Sequence, residues 1–444
     1  MSLKKEMSLL VGLAIPVALS HMLTALAGFV DTVMAGHAGV PDLAGVALGS
    51  ALWLTLFIAP MGLLSAINPI VGQYVGSGNH QAVSNFMHQC VRVLFLIVLI
   101  LLLILGLRDW YLPLIVADQQ VVTVTSNYLQ GVMWGVPALM GTFLLRPYSE
   151  GLSFTRPDMM AAIVSLAVNI PANYALIFGH WGAPELGGAG AGWATAIAFW
   201  AAFLVMVFYS LRHKVYEKVH LWSSWHQQDR SEIRHLLRVG SPIAMTMFVE
   251  VSIFSLIALF LGSRTGVEIA AHQVAMNVAY LLFTLPLSIS VAATIRVSLN
   301  VGQQNRTAAY ISAKAAVWLA IIIALMNIFI LLTLADTIAR VYSQDQQVIE
   351  LAAHLMIFAA MFQLADAFVV PTQGALRGYK DTLVPLLLAI LAYWVIALPL
   401  GYLLGLTDVF GEASGAEGFW ISLVVGLAIS GVLMTSRLIR VSHP

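Results

Sequence analysis

The stretch Gly28-Phe29-Val30-Asp31-Thr32-Val33-Met34-Ala35-Gly36 closes an apolar run that begins near Leu9. A helix needs about 20 such residues to cross a bilayer, so this run reads as a membrane span. It also sets one carboxylate among residues suited to hydrocarbon. An ionised aspartate deep in a membrane helix costs roughly 2.5–3.5 kcal/mol on insertion scales. Such residues face a protein interior or a water-filled cavity, which makes Asp31 and its surroundings candidates for function.

The remaining chain is of the same kind. Of its 444 residues 60% are hydrophobic and only 9% are charged, against about 25% charged in soluble domains. Apolar runs of spanning length recur twelve times, over residues 9–34, 43–67, 86–107, 128–150, 158–178 and 186–211, then 238–261, 269–296, 311–334, 348–374, 383–404 and 418–437. This predicts an all-α membrane protein with 12 transmembrane helices. Lys4 and Lys5 precede an apolar run too long for the core of a cleavable signal peptide, so that run is expected to be the first span. The single cysteine, Cys90, excludes an intramolecular disulfide framework, and no Cys/His spacing resembles a zinc site. A net charge of zero gives no argument for nucleic acid binding.

Lysine and arginine set the orientation. With an even number of spans both termini lie on one side, and the basic residues divide 18 to 3 in favour of that side. Both termini are therefore expected to be cytoplasmic. The longest polar stretch, Arg212 to Arg238, carries Trp222 and Trp225 and is expected to be a solvated linker along the inner surface. The expected domains are 1–211 as an N-terminal six-helix lobe, 212–237 as cytoplasmic linker and 238–444 as a C-terminal six-helix lobe.

The two halves repeat. A shift of 226 positions matches Pro16 with Pro242, Gly36 with Gly262, Asp42 with Glu268, Pro60 with Pro286, Gly76 with Gly302 and Asn79 with Asn305, without a gap. A shift of 223 then matches Gly151 with Gly374 and Asp158 with Asp381. Six spans per half give both repeats the same orientation, so the fold class is two six-helix bundles related by a pseudo-two-fold axis along the membrane normal. Two such bundles are expected to enclose a cavity that opens to either side, as a transporter requires. Pro60 and Pro286 each remove a backbone donor inside a span and are expected to kink it.

Besides Asp31, the acidic residues Glu250, Asp366 and Glu150 fall within or at the ends of spans. Glu150 is expected to be interfacial and structural, beside Arg146 at a helix end. Glu250 and Asp366 lie mid-span with no lysine or arginine close in sequence, and with Asp31 they are the candidates for function. The acidic chemistry is not duplicated, since Asp31 matches Ile257 and Glu250 matches Thr24. Asn169 and Asn173 share a helix face at a spacing of four, Pro171 frees a nearby carbonyl, and Thr195 adds a hydroxyl. Carboxylate, amide oxygens and hydroxyl suit Na+ or a protonation-dependent network equally well. His21, alone on an apolar helix, is expected to pack or hydrogen-bond. A minority of the 18 methionines and of the aromatic side chains would give a cavity a polarizable wall for organic cations.

At this point the sequence resembles the multidrug and toxic compound extrusion family, on its NorM branch. The resemblance runs over essentially the whole chain. It is carried by Gly28 to Gly36, Asn169-Ile170-Pro171-Ala172-Asn173-Tyr174, Pro184-Glu185-Leu186-Gly187-Gly188, Leu376-Arg377-Gly378-Tyr379-Lys380-Asp381-Thr382 and Gly418-Phe419-Trp420-Ile421. It implies secondary active efflux of cationic drugs and toxins across the bacterial inner membrane, in exchange for Na+ or H+. Glu250 and Asp366, together with Asp31, match cation-coupling residues of the family, and Asp31, Asn169, Asn173 and Thr195 match its N-lobe polar site. Na+ is a possible ligand at either group. Phe283 departs from relatives that have a tyrosine there, and Asn277, one face away, is a candidate to compensate. The substrate-binding candidates are thus Asp31, Glu250, Phe283, Asn277 and Asp366. The reading expects no enzymatic activity, no cofactor beyond the coupling ion, and a monomer in the lipid bilayer. The alternative is a lipid-linked substrate flippase, which would favour a strongly cationic cavity, whereas here the arginines gather at helix ends.

Overall fold

The computed structural model describes residues 2–219, 221–222 and 227–443. Trp225 of the linker lies outside the described residues. Among these residues the secondary structure is helical, and twelve helices are long and apolar enough to cross a membrane. They are α1 Leu3–Ala38, α2 Val40–Gly76, α3 His80–Gly106, α4 Gln119–Gly151, α5 Arg156–Phe178, α6 Gly188–Arg212, α7 Arg230–Leu261, α8 Gly266–Gly302, α9 Arg306–Tyr342, α10 Gln346–Gly378, α11 Leu383–Leu406 and α12 Ala416–Ser442. The twelve expected spans correspond to these one for one; most helices run past their apolar run, while α3 ends one residue before 107 and α6 begins two residues after 186.

Two compact units result. Leu19–Ala244 form one, and Met1–Ala18 with Met245–Pro444 form the other. The division falls inside helices, at Ala18/Leu19 of α1 and Ala244/Met245 of α7, which are 226 positions apart. Pro16 and Pro242 precede these points by two residues and leave a carbonyl unpaid by the usual helical bond in the turn before.

The repeat extends to caps and turns. The Asn79 side chain accepts from Ala82 N at 3.0 Å to start α3, and its match Asn305 accepts from Ala308 N at 2.9 Å to start α9. These amides satisfy donors that a helix start leaves open. The residues before them, Gly78 and Gln304, both have positive φ, 74° and 58°. Asp42 accepts from the Gly188 backbone N–H at 2.6 Å at the start of α6. The turn needs glycine at 187, where φ is 56° and ψ is −140° and a Cβ would meet the Asp42 carboxylate.

The matched prolines behave differently. After Pro60, α2 breaks at Ala66 into two helical segments, Val40–Ser65 and Ile67–Gly76, whereas α8 runs unbroken through Pro286. The break sits at the Ser65 carbonyl, whose helical donor Pro69 lacks; the matching position in α8 is Ile295, which donates normally. Span α11 contains a π-helical segment, Ile390–Ala397, which no proline or glycine inside it announces.

The linker is not merely solvated. Tyr216, Val219 and Leu221 are buried, and the Tyr216 hydroxyl lies 2.6 Å from Ser149 Oγ. His88 Nε2 meets the Leu221 carbonyl at 2.8 Å, and Gln89 donates to the Gln227 carbonyl at 2.9 Å. Apolar residues interleaved with the charges give the linker a face to bury, which its overall polarity conceals.

Candidate functional site

In the unit Leu19–Ala244, Asp31 is 9% exposed and is held by three neutral donors from two other helices. Asn169 and Asn173, one turn apart on α5, donate through Nδ2 to Oδ1 at 3.1 and 2.6 Å. The Thr195 hydroxyl of α6 donates to Oδ2 at 3.1 Å. Thr195 follows Gly192 by one turn, where a Cβ would collide with the Tyr128 carbonyl of α4. Glycine there lets α6 pack against α4 backbone to backbone and so sets how far Thr195 reaches. Tyr128, whose hydroxyl accepts from Trp53 Nε1 at 3.0 Å and sits 3.1 Å from Ser50 Oγ, is within electrostatic reach of Asp31.

None of these donors carries charge, so the carboxylate is solvated by dipoles and not neutralised. The amide oxygens of Asn169 and Asn173 are buried and accept no hydrogen bond. Buried acceptors without donors are rare and costly. One carboxylate, two open amide oxygens and a hydroxyl are the donor set of a hard cation, and the same carboxylate can take a proton.

In the other unit, Glu250 of α7 accepts from Gln373 Nε2 at 3.0 Å, and Gln373 Oε1 in turn accepts from Arg377 Nη2 at 3.0 Å. An amide thus relays between carboxylate and guanidinium. Asp366 precedes Gln373 by seven residues on α10, on nearly the same face. It is 2% exposed, and its Oδ2 has no hydrogen-bond partner. Asp366 lies within electrostatic reach of Glu250, and Tyr393 of the π-helical segment lies within reach of both. π-helical turns occur often at functional sites. Phe283 is half-buried. Asn277 is exposed and accepts from Gln273 of its own helix at 3.4 Å, while Gln373 supplies the amide at Glu250. The i, i+7, i+11 spacing of Asp366, Gln373 and Arg377 carried this signal; what sequence distance hid was Arg377's approach to Glu250.

Glu150, expected at the interface, is 6% exposed. It accepts from Asn68 Nδ2 at 2.9 Å and from Arg146 Nε at 3.3 Å, and the same Nε lies 3.2 Å from Asp158 Oδ2. His21 Nε2 lies 3.1 Å from Arg146 Nη2. Three helices of this unit thus meet on one half-buried guanidinium, and Asn68 of a fourth joins through Glu150, a network that lone residues on separate spans could not disclose. In the linker, Asp229 accepts from the Ser231 hydroxyl at 2.6 Å, the Ser231 N–H at 2.9 Å and Asn85 Nδ2 at 3.2 Å. These donors, the Ser231 hydroxyl first, hold its carboxyl below the ordinary value of 3.8.

The chain matches the family model MatE twice, over residues 16–175 and 242–403, so the two halves fit one pattern. It is similar to multidrug resistance protein PmpM of Pseudomonas aeruginosa, 40% identical over 439 residues that cover 99% of this chain and 92% of the relative. It is also similar to multidrug resistance protein NorM of Aliivibrio fischeri, 37% identical over 98% of this chain and 95% of the relative. Among solved structures, it superimposes on the outward-facing conformation of a multidrug resistance MATE family transporter with a TM-score of 0.89, 17% identity, and coverage of 99% and 97% of the two chains. The crystal structure of the eukaryotic MATE transporter AtDTX14 gives a TM-score of 0.85 at 21% identity, covering 98% and 96%. A model matched in both halves and relatives aligned from end to end leave one assignment: this chain belongs to the MatE family, in its NorM branch.

Proposed function

We propose that this chain is a multidrug efflux transporter that exports organic cations in exchange for Na+ or H+ by alternating access, in the bacterial inner membrane with both termini cytoplasmic. The observation that carries the reading is Asp31, a buried carboxylate solvated by neutral dipoles alone beside two unsatisfied amide oxygens. A drug cation and a coupling ion compete for such a charge. The ion neutralises the carboxylate from outside, the drug leaves, and after the return step the ion leaves to the cytoplasm and drug rebinds. Mutual exclusion supplies the coupling, and each positive charge carried inward gains about 2.3 kcal/mol per 100 mV of membrane potential.

Asp31, Asn169, Asn173 and Thr195 act as one ion or drug site in this scheme, and Glu250, Gln373 and Asp366 as the second acidic centre. Phe283 and Asn277 are further substrate-binding candidates in this scheme. The multidrug names of the relatives support this reading over a lipid-linked flippase. Purified protein in proteoliposomes, with ΔpH and ΔpNa imposed separately, tests it. Ethidium movement driven by one of the gradients against a drug gradient is the expected result; passive, gradient-independent flux overturns antiport.

A further inference from the structure

The first helix of each half is anchored by a glutamate at matched positions, Glu6 and Glu232. Glu6 begins α1, and its side chain is 1% exposed. Its Oε1 accepts from Arg296 Nε at 2.7 Å and from Ser312 Oγ at 2.7 Å, and its Oε2 accepts from Arg296 Nη2 at 3.0 Å. Asn300 Nδ2 donates to Ser312 Oγ at 2.9 Å behind them. Leu10 and Ala14 of the same arm are buried with Ile289, Ala292 and Ala316. Residues 1–18 group with the unit that contains Arg296 and Ser312, while the rest of α1 belongs to the other.

The arm of α7 copies this plan with different chemistry. Glu232 Oε1 accepts from the Tyr74 hydroxyl at 2.8 Å, and Tyr74 is the match of Asn300. Gly240, the match of Ala14, packs on the carbonyl of Leu63, the match of Ile289. Residues 230–244 group with the unit of Tyr74, and the rest of α7 with the other. Among the described residues no guanidinium pairs with this carboxylate. Its Oε2 accepts no hydrogen bond, and His235 Nδ1 stands 3.5 Å away. The Glu232 side chain is 17% exposed. A cavity of about 590 Å3 lined by Asn79, Asn85, Gln227 and Asp229 opens beside the chain leading into it. Both carboxylates receive charge-assisted bonds. Glu6 receives three, two of them from one guanidinium, against one from the Tyr74 hydroxyl at Glu232. A buried ion pair is hard to break because each partner is left unpaired.

We propose that these two glutamates are positioning residues with opposite duties in the transport cycle. Glu6 keeps the α1 arm fixed throughout, whereas the Glu232–Tyr74 bond is the releasable latch and opens in every turnover. The inference rests on the transport reading and adds to it which helix end moves.

Covalent locking tests it. In a Cys90→Ser background, which removes the only native thiol, Tyr74→Cys/Glu232→Cys and Glu6→Cys/Ser312→Cys are bridged by short bifunctional methanethiosulfonates. Bridging 74 to 232 is expected to stop ethidium export, with recovery on reduction by dithiothreitol; bridging 6 to 312 is expected to leave it running. Export by the first pair at the unbridged rate, or arrest by the second as complete as by the first, overturns the proposal. Glu232→Gln adds a second readout, expected to change turnover at constant KM, and a change confined to KM counts against a latch. Should Glu6→Cys fail to fold, bridging 74 to 232 and Glu232→Gln still decide. Wild-type protein that moves no drug in the same vesicles would instead refute the transport reading.

Discussion

Asn173 donates to Asp31 at 2.6 Å, the shorter of two amide bonds that converge on one carboxylate oxygen. The convergence orients the carboxylate, while both amide oxygens are buried without donors. Asp31→Asn replaces the charge with a group of the same shape. Export of ethidium is expected to fall to the level of empty vesicles while the melting temperature stays within a few degrees, as measured by efflux and by thermal unfolding in detergent.

Asn173→Ala leaves the charge and removes its closest donor. A hydrogen bond to a charged group is worth about 1.5–3 kcal/mol, so ion and drug affinity are expected to shift by roughly ten-fold or more. Titration of drug binding against Na+ and against pH measures that shift, and binding curves that coincide with wild type would remove Asn173 from the site.

The relay from Arg377 through Gln373 to Glu250 predicts coupling between residues that do not hydrogen-bond each other directly. Gln373→Ala and Arg377→Gln are each expected to lower turnover. Their double variant should lose less than the sum, since removing the amide already disconnects the guanidinium. Export rates around this double-mutant cycle decide it, and strict additivity would count against a relay.

Gly192→Ala places a methyl group against the Tyr128 carbonyl. Overpacking of this kind costs about 1–3 kcal/mol. A lower melting temperature is expected, with drug export falling further than stability alone explains, because Thr195 is carried away from Asp31. Thermal unfolding and efflux on the same preparation separate the two effects.

The docked linker has a predictable acid limit. The Asp229 carboxyl is held below its ordinary value of 3.8, chiefly by Ser231. A lowered folded value stabilises docking above the unfolded value, and that contribution is lost as pH falls through the folded one. Cleavage of the linker by an acid-tolerant protease is therefore expected to stay slow at pH 5 and to rise only below about pH 4. In Asp229→Asn it should be pH-independent over that range.

Hydropathy and the 226-residue repeat by themselves determined twelve spans, the doubled plan and the residues worth suspecting, because spanning length and insertion cost are properties of local sequence. The i, i+4 asparagines were legible for the same reason: helical periodicity alone places them on one face. Only tertiary structure joined them to Asp31, 138 and 142 residues away, brought Arg377 toward Glu250, and buried Glu150 around Arg146. Tertiary structure also decided that the linker docks. Partners of this kind depend on which side chains fill the space between helices, and no window of sequence contains that space.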